Sequence, residues 1–266
     1  MAIEHEAPTA VHQPPIEGSS LRTFPWWLVA ILAAIAFMIF QIATNPTYQT
    51  TFLIILSGLR ITIYVTIVSF LVALGIGLLA GLGRISKNIV LRNIAITYIE
   101  FVRGVPILVL IFTIAFVVVP AAASLFGLNN NAVSLSTRAI IALAMIYGAF
   151  LAEVFRAGIE AIPRGQMEAA RSLGMTHYQA MRLVILPQAI RNVLPALGND
   201  FIALLKDSSL VSVLGVRDLT QVSRLYASTS FRFTETYFTL TFFYLVMTLV
   251  LSLLLQWYQR RIRVGH

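Results

Sequence analysis

The chain has no cysteine among its 266 residues, and only 11% of them carry charge. Without cysteine there is neither a disulfide framework nor a thiolate metal site, and the redox compartment stays open. Its four histidines, His5, His12, His177 and His266, are too far apart for an H-E-x-x-H zinc motif, so no metal site is expected. No Gly-Lys pair occurs, which removes the G-x-x-x-x-G-K-[ST] phosphate loop, and there is no G-x-S-x-G nucleophile elbow. The chain is therefore expected to be non-catalytic and to hold no cofactor of its own. With so little charge and 58% hydrophobic residues, it cannot cover a soluble globule with polar groups. The class this implies is an all-α integral membrane protein.

The formal charge is +8, but the basic residues are scattered between apolar runs rather than gathered in a patch, so a nucleic-acid partner is not expected. Residues 1–21 hold Glu4, Glu6, Glu17 and several prolines and read as a disordered tail, too acidic to begin a secretion signal. Residues 22–57 form an extra N-terminal anchor and outer segment. Within it residues 26–43 are long enough to span a bilayer and open with paired tryptophans, Asn45-Pro46 ends the span, and residues 48–57 are expected as an interfacial helix.

Residues 58–266 supply the remaining spans. Residues 61–82 carry Ala73, Gly77 and Gly81 four apart, a small-residue face suited to packing within one subunit. The next crossing, 94–119, is broken at Arg103-Gly104-Val105-Pro106, and residues 120–137 should be a loop. Residues 138–159 form a span with Glu153 and Arg156. Residues 196–215 are a broken and unusually polar one, 216–236 a polar connection with a short helix, and 237–257 the last span.

Cytoplasmic segments retain positive charge, so orientation can be counted. With the N-terminus inside, Arg22, Arg84, Lys87, Arg92, Arg156, Arg164, Arg171, Arg182, Arg191, Arg260, Arg261 and Arg263 lie inside, against Arg60, Arg138, Arg217, Arg224 and Arg232 outside. Twelve against five favours about six spans with both termini cytoplasmic.

The longest charged amphipathic stretch is 166–187, QMEAARSLGMTHYQAMRLVILP. A helix starting at Glu168 should stop at Gly174, the residue that most easily turns left-handed. Thr176 with Gln179 three residues on forms a capping box for a second helix, 180–186, ending at Pro187. A glycine elbow joins the two.

This pattern, Glu168-Ala169-Ala170, Gly174, then Ile185-Leu186-Pro187, resembles the cytoplasmic coupling loop of permease subunits of binding-protein-dependent ABC importers. Arg103-Gly104-Val105-Pro106, residues 149–165 and residues 198–211 are similar to the polar amino acid branch, so the likeness covers about 59–264. It implies a type I importer permease fold with a two-helix coupling loop in a bacterial inner membrane. The partners it implies are separate ABC ATPase subunits that bind ATP, a second permease, a soluble solute-binding protein, surrounding lipid and an amino acid substrate. For the loop it implies that Glu168 contacts the ATPase or caps its own helix, that Ala169 and Ala170 give close fit, and that Gly174 makes the elbow, with Leu186 and Pro187 completing the motif.

Polar groups inside spans need partners or a wet path, since a charge at midplane costs on the order of 3 kcal/mol. Glu100 and Arg103, like Glu153 and Arg156, lie three apart on one helical face, which allows local salt bridges or a place in the substrate path. Asn199, Asp200, Lys206 and Asp207 crowd into one broken span whose interruption could present amide and carbonyl ends to an amino acid. An alternative is a self-sufficient secondary carrier or channel that relays ions through Glu100, Glu153 and Asp200.

Overall fold

Small side chains decide the centre of the bundle. In the computed structural model, which describes residues 26–129 and 132–263, helices α3 (Leu59–Arg84) and α7 (Leu135–Glu160) lie side by side along most of their lengths. The acidic tail, Arg22, Asn130 and Asn131 lie outside the described residues. Ser69 Oγ of α3 donates to the Ile140 carbonyl at 3.4 Å, Gly77 lies against Gly148 and Leu151, and Gly81 against Ala152. The constant offset makes the helices parallel, and the small-residue face of α3 is satisfied within the subunit, as expected.

Two parallel helices require the chain between them to cross back once. It does so as α4 (Ile89–Gly104), α5 (Ile107–Thr113), a π turn (Ile114–Val118) and α6 (Val119–Leu125). A Cβ on Gly83 would touch that of Ala95, Tyr98 donates to the Met145 carbonyl, and Arg138 Nη1 donates to the Ala115 carbonyl at 3.2 Å. The crossing therefore starts beside the end of α3 and finishes beside the start of α7. Its break is at Val105, held extended (φ −112°, ψ 139°) by the proline that follows.

Both prolines expected to end a helix are accommodated instead. Pro120 opens α6 and Pro187 opens α10 (Leu186–Asp207), each two residues after a π turn, the second being Met181–Ile185. Pro120 would leave the carbonyl of Phe116 without its donor, and Pro187 that of Leu183. Both carbonyls lie inside the widened turn, where i→i+5 bonding replaces the normal ladder. The loop expected at 120–137 thus shortens at both ends, because Ser134 caps α7 by accepting from the Thr137 amide at 3.2 Å.

Before α3, α1 (Trp26–Thr44) is followed by α2 (Pro46–Leu56), which Asn45 caps at 2.9 Å from the Thr47 amide. The expected interfacial helix is in fact packed against the bundle. Ile55 is fully buried with Leu219 and Phe243, and Phe52 stacks on Phe243 at 4.9 Å. After α10 a 3-10 segment (Ser208–Leu214) leads to α11 (Leu219–Ser230) and α12 (Phe233–Arg263). α12 begins four residues before the expected 237 and carries the 260–263 tail as helix.

Trp26–Thr44, Pro46–Arg84, Ile107–Leu125, Leu135–Glu160 and Phe233–Arg261 are long and apolar enough to cross a membrane. α10 is the more polar sixth element. It runs antiparallel to α7, with Gly158 against Val193 and Ala189 at one end and Tyr147 bonded to Asp207 at the other. No strand occurs among the described residues.

Candidate functional site

At the end of the bundle where α3 and α7 finish, the chain makes its elbow. α8 (Arg164–Ser172) starts at Arg164, one turn earlier than the expected Glu168, because Pro163 (φ −57°, ψ 134°) sets up the first helical residue. Gly174 adopts φ +80°; its amide donates to Arg171 at 3.0 Å and that of Met175 donates to Ala170 at 3.2 Å, the paired closure of a Schellman end. The capping box then starts α9 (His177–Ala180): Gln179 N–H donates to Thr176 Oγ1 at 3.3 Å, and Thr176 N–H to Gln179 Oε1 at 2.9 Å. The second helix does not end at Pro187 but continues through the π turn into α10. The elbow is thus coupled directly to a helix that runs into the bundle.

Ala170 and Ala180 are buried on the inner side of the elbow, where Ile162, Ile185 and Ala189 pack together with Met167. Gln188 Nε2 donates to Gln166 Oε1 at 3.3 Å and ties α8 to α10. Glu168, Ala169, Gly174, Leu186 and Pro187 are exposed. Because α8 begins four residues before it, Glu168 is too deep to cap its own helix, and its side chain is exposed. Leu173 and Tyr178, 81% and 69% exposed, add an apolar edge on either side of Gly174 that the sequence reading passed over. Two such side chains in a charged loop were the available signal.

Above the elbow an ion network joins three helices. Arg84, the last residue of α3, bonds Glu100 of α4 at 3.2 Å and also Glu153 of α7; Glu153 in turn bonds Arg156 at 2.9 Å, and Arg156 bonds Glu160. The Glu153–Arg156 pair is as expected. The Glu100–Arg103 pair is not: Glu100 takes Arg84 instead, and Arg103, at the exposed last turn of α4, makes no ion pair among the described residues. Partners 16 and 69 positions apart carry no helical periodicity to betray them.

The polar residues of α10 do not converge. Asp207 accepts from Tyr147 Oη at 2.8 Å, halfway along α7, and Asp200 is partly buried. Lys206 is exposed into a cavity of about 490 Å³ with Ser209, Thr220, Tyr244 and Thr248, on the side facing α12; Asn199 is exposed. The helix is unbroken at Gly198, where a Cβ would meet Leu255 Cδ1 at 2.3 Å, so that glycine serves packing against α12. The interruption falls later, at Ser208, where α-helix gives way to 3-10. The sequence reading missed Tyr237, Thr241, Tyr244 and Thr248 on α12, whose 4-3-4 spacing inside an apolar run marks one hydroxyl face.

Asp218 was also passed over. It caps α11, accepting from the Gln221 amide at 2.8 Å, and its backbone lies where a Cβ on Gly58 would go. Its residue is fully buried and Oδ2 has no hydrogen-bond partner among the described residues. Burial pushes this carboxyl up to about 6, against the donors of Gln221 and Thr220. The native state therefore holds the proton more tightly than the unfolded chain, so stability contributed here falls as pH rises from about 4 to about 6 and is constant above. Asp218→Asn, which retains capping, is expected to stabilise the protein at pH 7 by up to about 3 kcal/mol. The gain should vanish by about pH 4. Thermal unfolding of both proteins across that range checks it, and a less stable Asp218→Asn at pH 7 would refute it.

Residues 73–264 match the family described as binding-protein-dependent transport system inner membrane component. The chain is 39% identical over 221 residues to the probable amino-acid permease protein YxeN of Bacillus subtilis, covering 83% of this chain and 93% of that one. It is 34% identical over 211 residues to the glutamine transport system permease protein GlnP of Escherichia coli, covering 79% and 94%. A crystal structure of an amino acid ABC transporter with histidines superposes with a TM-score of 0.70 at 42% identity, covering 78% of this chain and 94% of that one.

Proposed function

The chain belongs to the binding-protein-dependent transport system inner membrane components, and from that premise we propose that it forms half of a pathway for polar amino acids in an ATP-driven importer. The observation that carries this is the elbow. Its glycine and capping box fix the angle between an exposed helix and α10, so force applied to α8 is transmitted to a helix lying along the bundle. Glu168, Ala169 and the flanking Leu173 and Tyr178 are the surface offered to an ATPase subunit. We place the elbow and both termini in the cytoplasm, on the excess of lysine and arginine that this arrangement puts there.

The family implies ATPase and binding-protein partners. Two ATPase subunits that bind the ATP, a second permease identical or homologous to this one, and a soluble solute-binding protein complete the assembly in our reading. The chain itself is read as non-catalytic, like permease subunits generally. The α10 residues Asn199, Asp200, Lys206 and Asp207, with Glu100, Arg103 and Glu153, are our candidates for groups along the path. The ion network occupies Glu100 and Glu153 in the present conformation, which suits a gate that must re-pair when the bundle rearranges.

Purified with its co-expressed neighbours and placed in vesicles, the complex should accumulate one or a few of the twenty amino acids when ATP and the binding protein are supplied. Accumulation should survive an ionophore and stop without ATP. Uptake by the isolated chain, or collapse with the ion gradient, would instead establish the self-sufficient carrier.

A further inference from the structure

α4 is tied to its neighbours less firmly than they are to each other. Glycines bring α3 and α7 into close contact, whereas α4 ends at Gly104, where a Cβ would meet nothing within 4 Å. Val105 (φ −112°, ψ 139°) and Pro106 (φ −56°, ψ 136°) follow, both outside helical geometry, so the helix has a place to pivot. Further back along α4, Glu100 bonds Arg84 of α3 at 3.2 Å. The two acids on Arg84 are in unequal settings, since the Glu153 side chain is 19% exposed and that of Glu100 57%. An exposed ion pair is weak, because water solvates both of its charges. Glu100 can therefore leave at little cost while Arg84 stays on Glu153. A second partner is already in place. Arg103 lies one helical turn along α4 on the same face, is exposed, and makes no ion pair among the described residues. The local pair that the spacing suggests is thus an unused alternative to the bond observed.

We propose that Glu100 is a clasp with two positions: on Arg84 it ties α4 to α3, and on Arg103 it pairs within α4 and frees that helix to pivot about residues 104–106. Arg84 keeps Glu153 throughout, so neither position leaves a carboxylate without a cation. The buried face of α4, made by Ala95, Ile99 and Val102, stays on the bundle. What changes is the spacing beside Gly83, where a Cβ would now lie 3.1 Å from that of Ala95. Arg84, Ser86, Ile96 and Glu160 line one cavity at this end, and Glu160 closes α7 just before the turn into the elbow, so the clasp sits beside the route by which α8 moves the bundle. Its service as a gate rests on the importer reading above; the exchange of partners does not.

The absence of cysteine makes the chain a clean background for thiol cross-linking. Gly83→Cys with Ala95→Cys needs only a small adjustment to reach the Cβ separation of a disulfide, about 3.5–4.5 Å, while the clasp is closed. If that pair fails to assemble, Ser86→Cys with Ile96→Cys and a short bifunctional maleimide spans the same cavity. In membranes holding the whole transporter and no amino acid, cross-linking is timed without nucleotide and after trapping with ATP and vanadate. The two rates should differ. In the slower condition, where the released form dominates, Arg84→Gln should slow the reaction and Arg103→Gln should speed it, each by up to about fivefold, the weight of an exposed ion pair. Arg103→Lys should behave as the parent, and Arg103→Gln should have no effect once Glu100→Gln is present. Shifts in the same direction, no shift with Arg103→Gln, or one that persists beside Glu100→Gln overturns the clasp. Equal rates with and without trapping, in a transporter whose uptake needs ATP, overturn its service as a gate. If uptake proves independent of ATP, the importer reading fails while the variant shifts still decide the clasp, so the two failures are distinguishable.

Discussion

Gly174→Val is expected to cut amino acid uptake about tenfold while the chain inserts and assembles normally. Gly174 sits at φ +80°, and a Cβ there would meet nothing within 4 Å, so backbone strain alone makes the difference. A non-glycine residue in the left-handed region costs about 1–2 kcal/mol, and a branched Cβ is worse. On an elbow whose two closing bonds depend on that conformation, this shifts its population by roughly 5–30-fold. The fold should be spared, because the elbow stands at the end of the bundle and its buried contacts come from Ala170 and Ala180 rather than from the glycine. Gly174→Asn, which tolerates the left-handed region, should lose far less. Uptake in vesicles with the amount of assembled complex measured in parallel decides the matter. Wild-type transport by Gly174→Val would mean that the elbow angle does not matter for coupling.

Gly77→Leu is expected to prevent the chain from folding into a stable bundle. The added Cβ would lie 2.7 Å from Leu151 Cβ and 3.1 Å from the Gly148 carbonyl, both on a packed helix rather than at the tip of a flexible side chain. Overpacking of this kind typically costs about 1–3 kcal/mol when the surroundings can shift. Here they cannot shift easily, because Gly81 and Gly148 set the same close spacing at neighbouring turns: a Cβ on Gly81 would fall 2.8 Å from the Ala152 carbonyl, and one on Gly148 would fall 2.6 Å from Ile76 Cγ2. Gly75→Leu, two residues away with open space around it, is the matched control and should behave as wild type. Size-exclusion chromatography of detergent extracts gives the readout. The monodisperse yield of Gly77→Leu should fall at least about fivefold, as expected for a loss of 1 kcal/mol or more. Equal yields for the two variants would show that the α3–α7 contact can loosen.

These two glycines also mark how far a linear reading reaches. Gly174 was legible because a Schellman end and a capping box are local: each bond joins residues three to five apart, and residue type alone announces them. Gly77 was half legible. The four-residue spacing of small side chains predicts a contact face, but only the fold names α7 as its partner. Pro120 and Pro187 misled for the opposite reason, since a π turn has no composition of its own and the helix survives by altering its hydrogen bonding. The three-residue spacing offered Arg103 as a partner for Glu100, beside a place in the substrate path, because periodicity sees only neighbours, whereas Arg84 reaches it from another helix.

The amino-acid sequence by itself determined that this is a helical membrane protein lacking the G-x-x-x-x-G-K-[ST] phosphate loop, that one charged elbow stands apart from the apolar spans, and where that elbow bends. Hydropathy, charge count and helix-end chemistry are properties of short stretches, so they survive without a third dimension. The tertiary structure alone decided which acid pairs with which arginine, that Asp207 and Lys206 turn to opposite neighbours, and that Lys206 shares an open pocket with α12, whose Thr241 and Thr248 donate to carbonyls of their own helix. Those outcomes depend on the rotation and depth of whole helices, which are set by the summed packing of small residues along α3, α7 and α10 and by no single local signal.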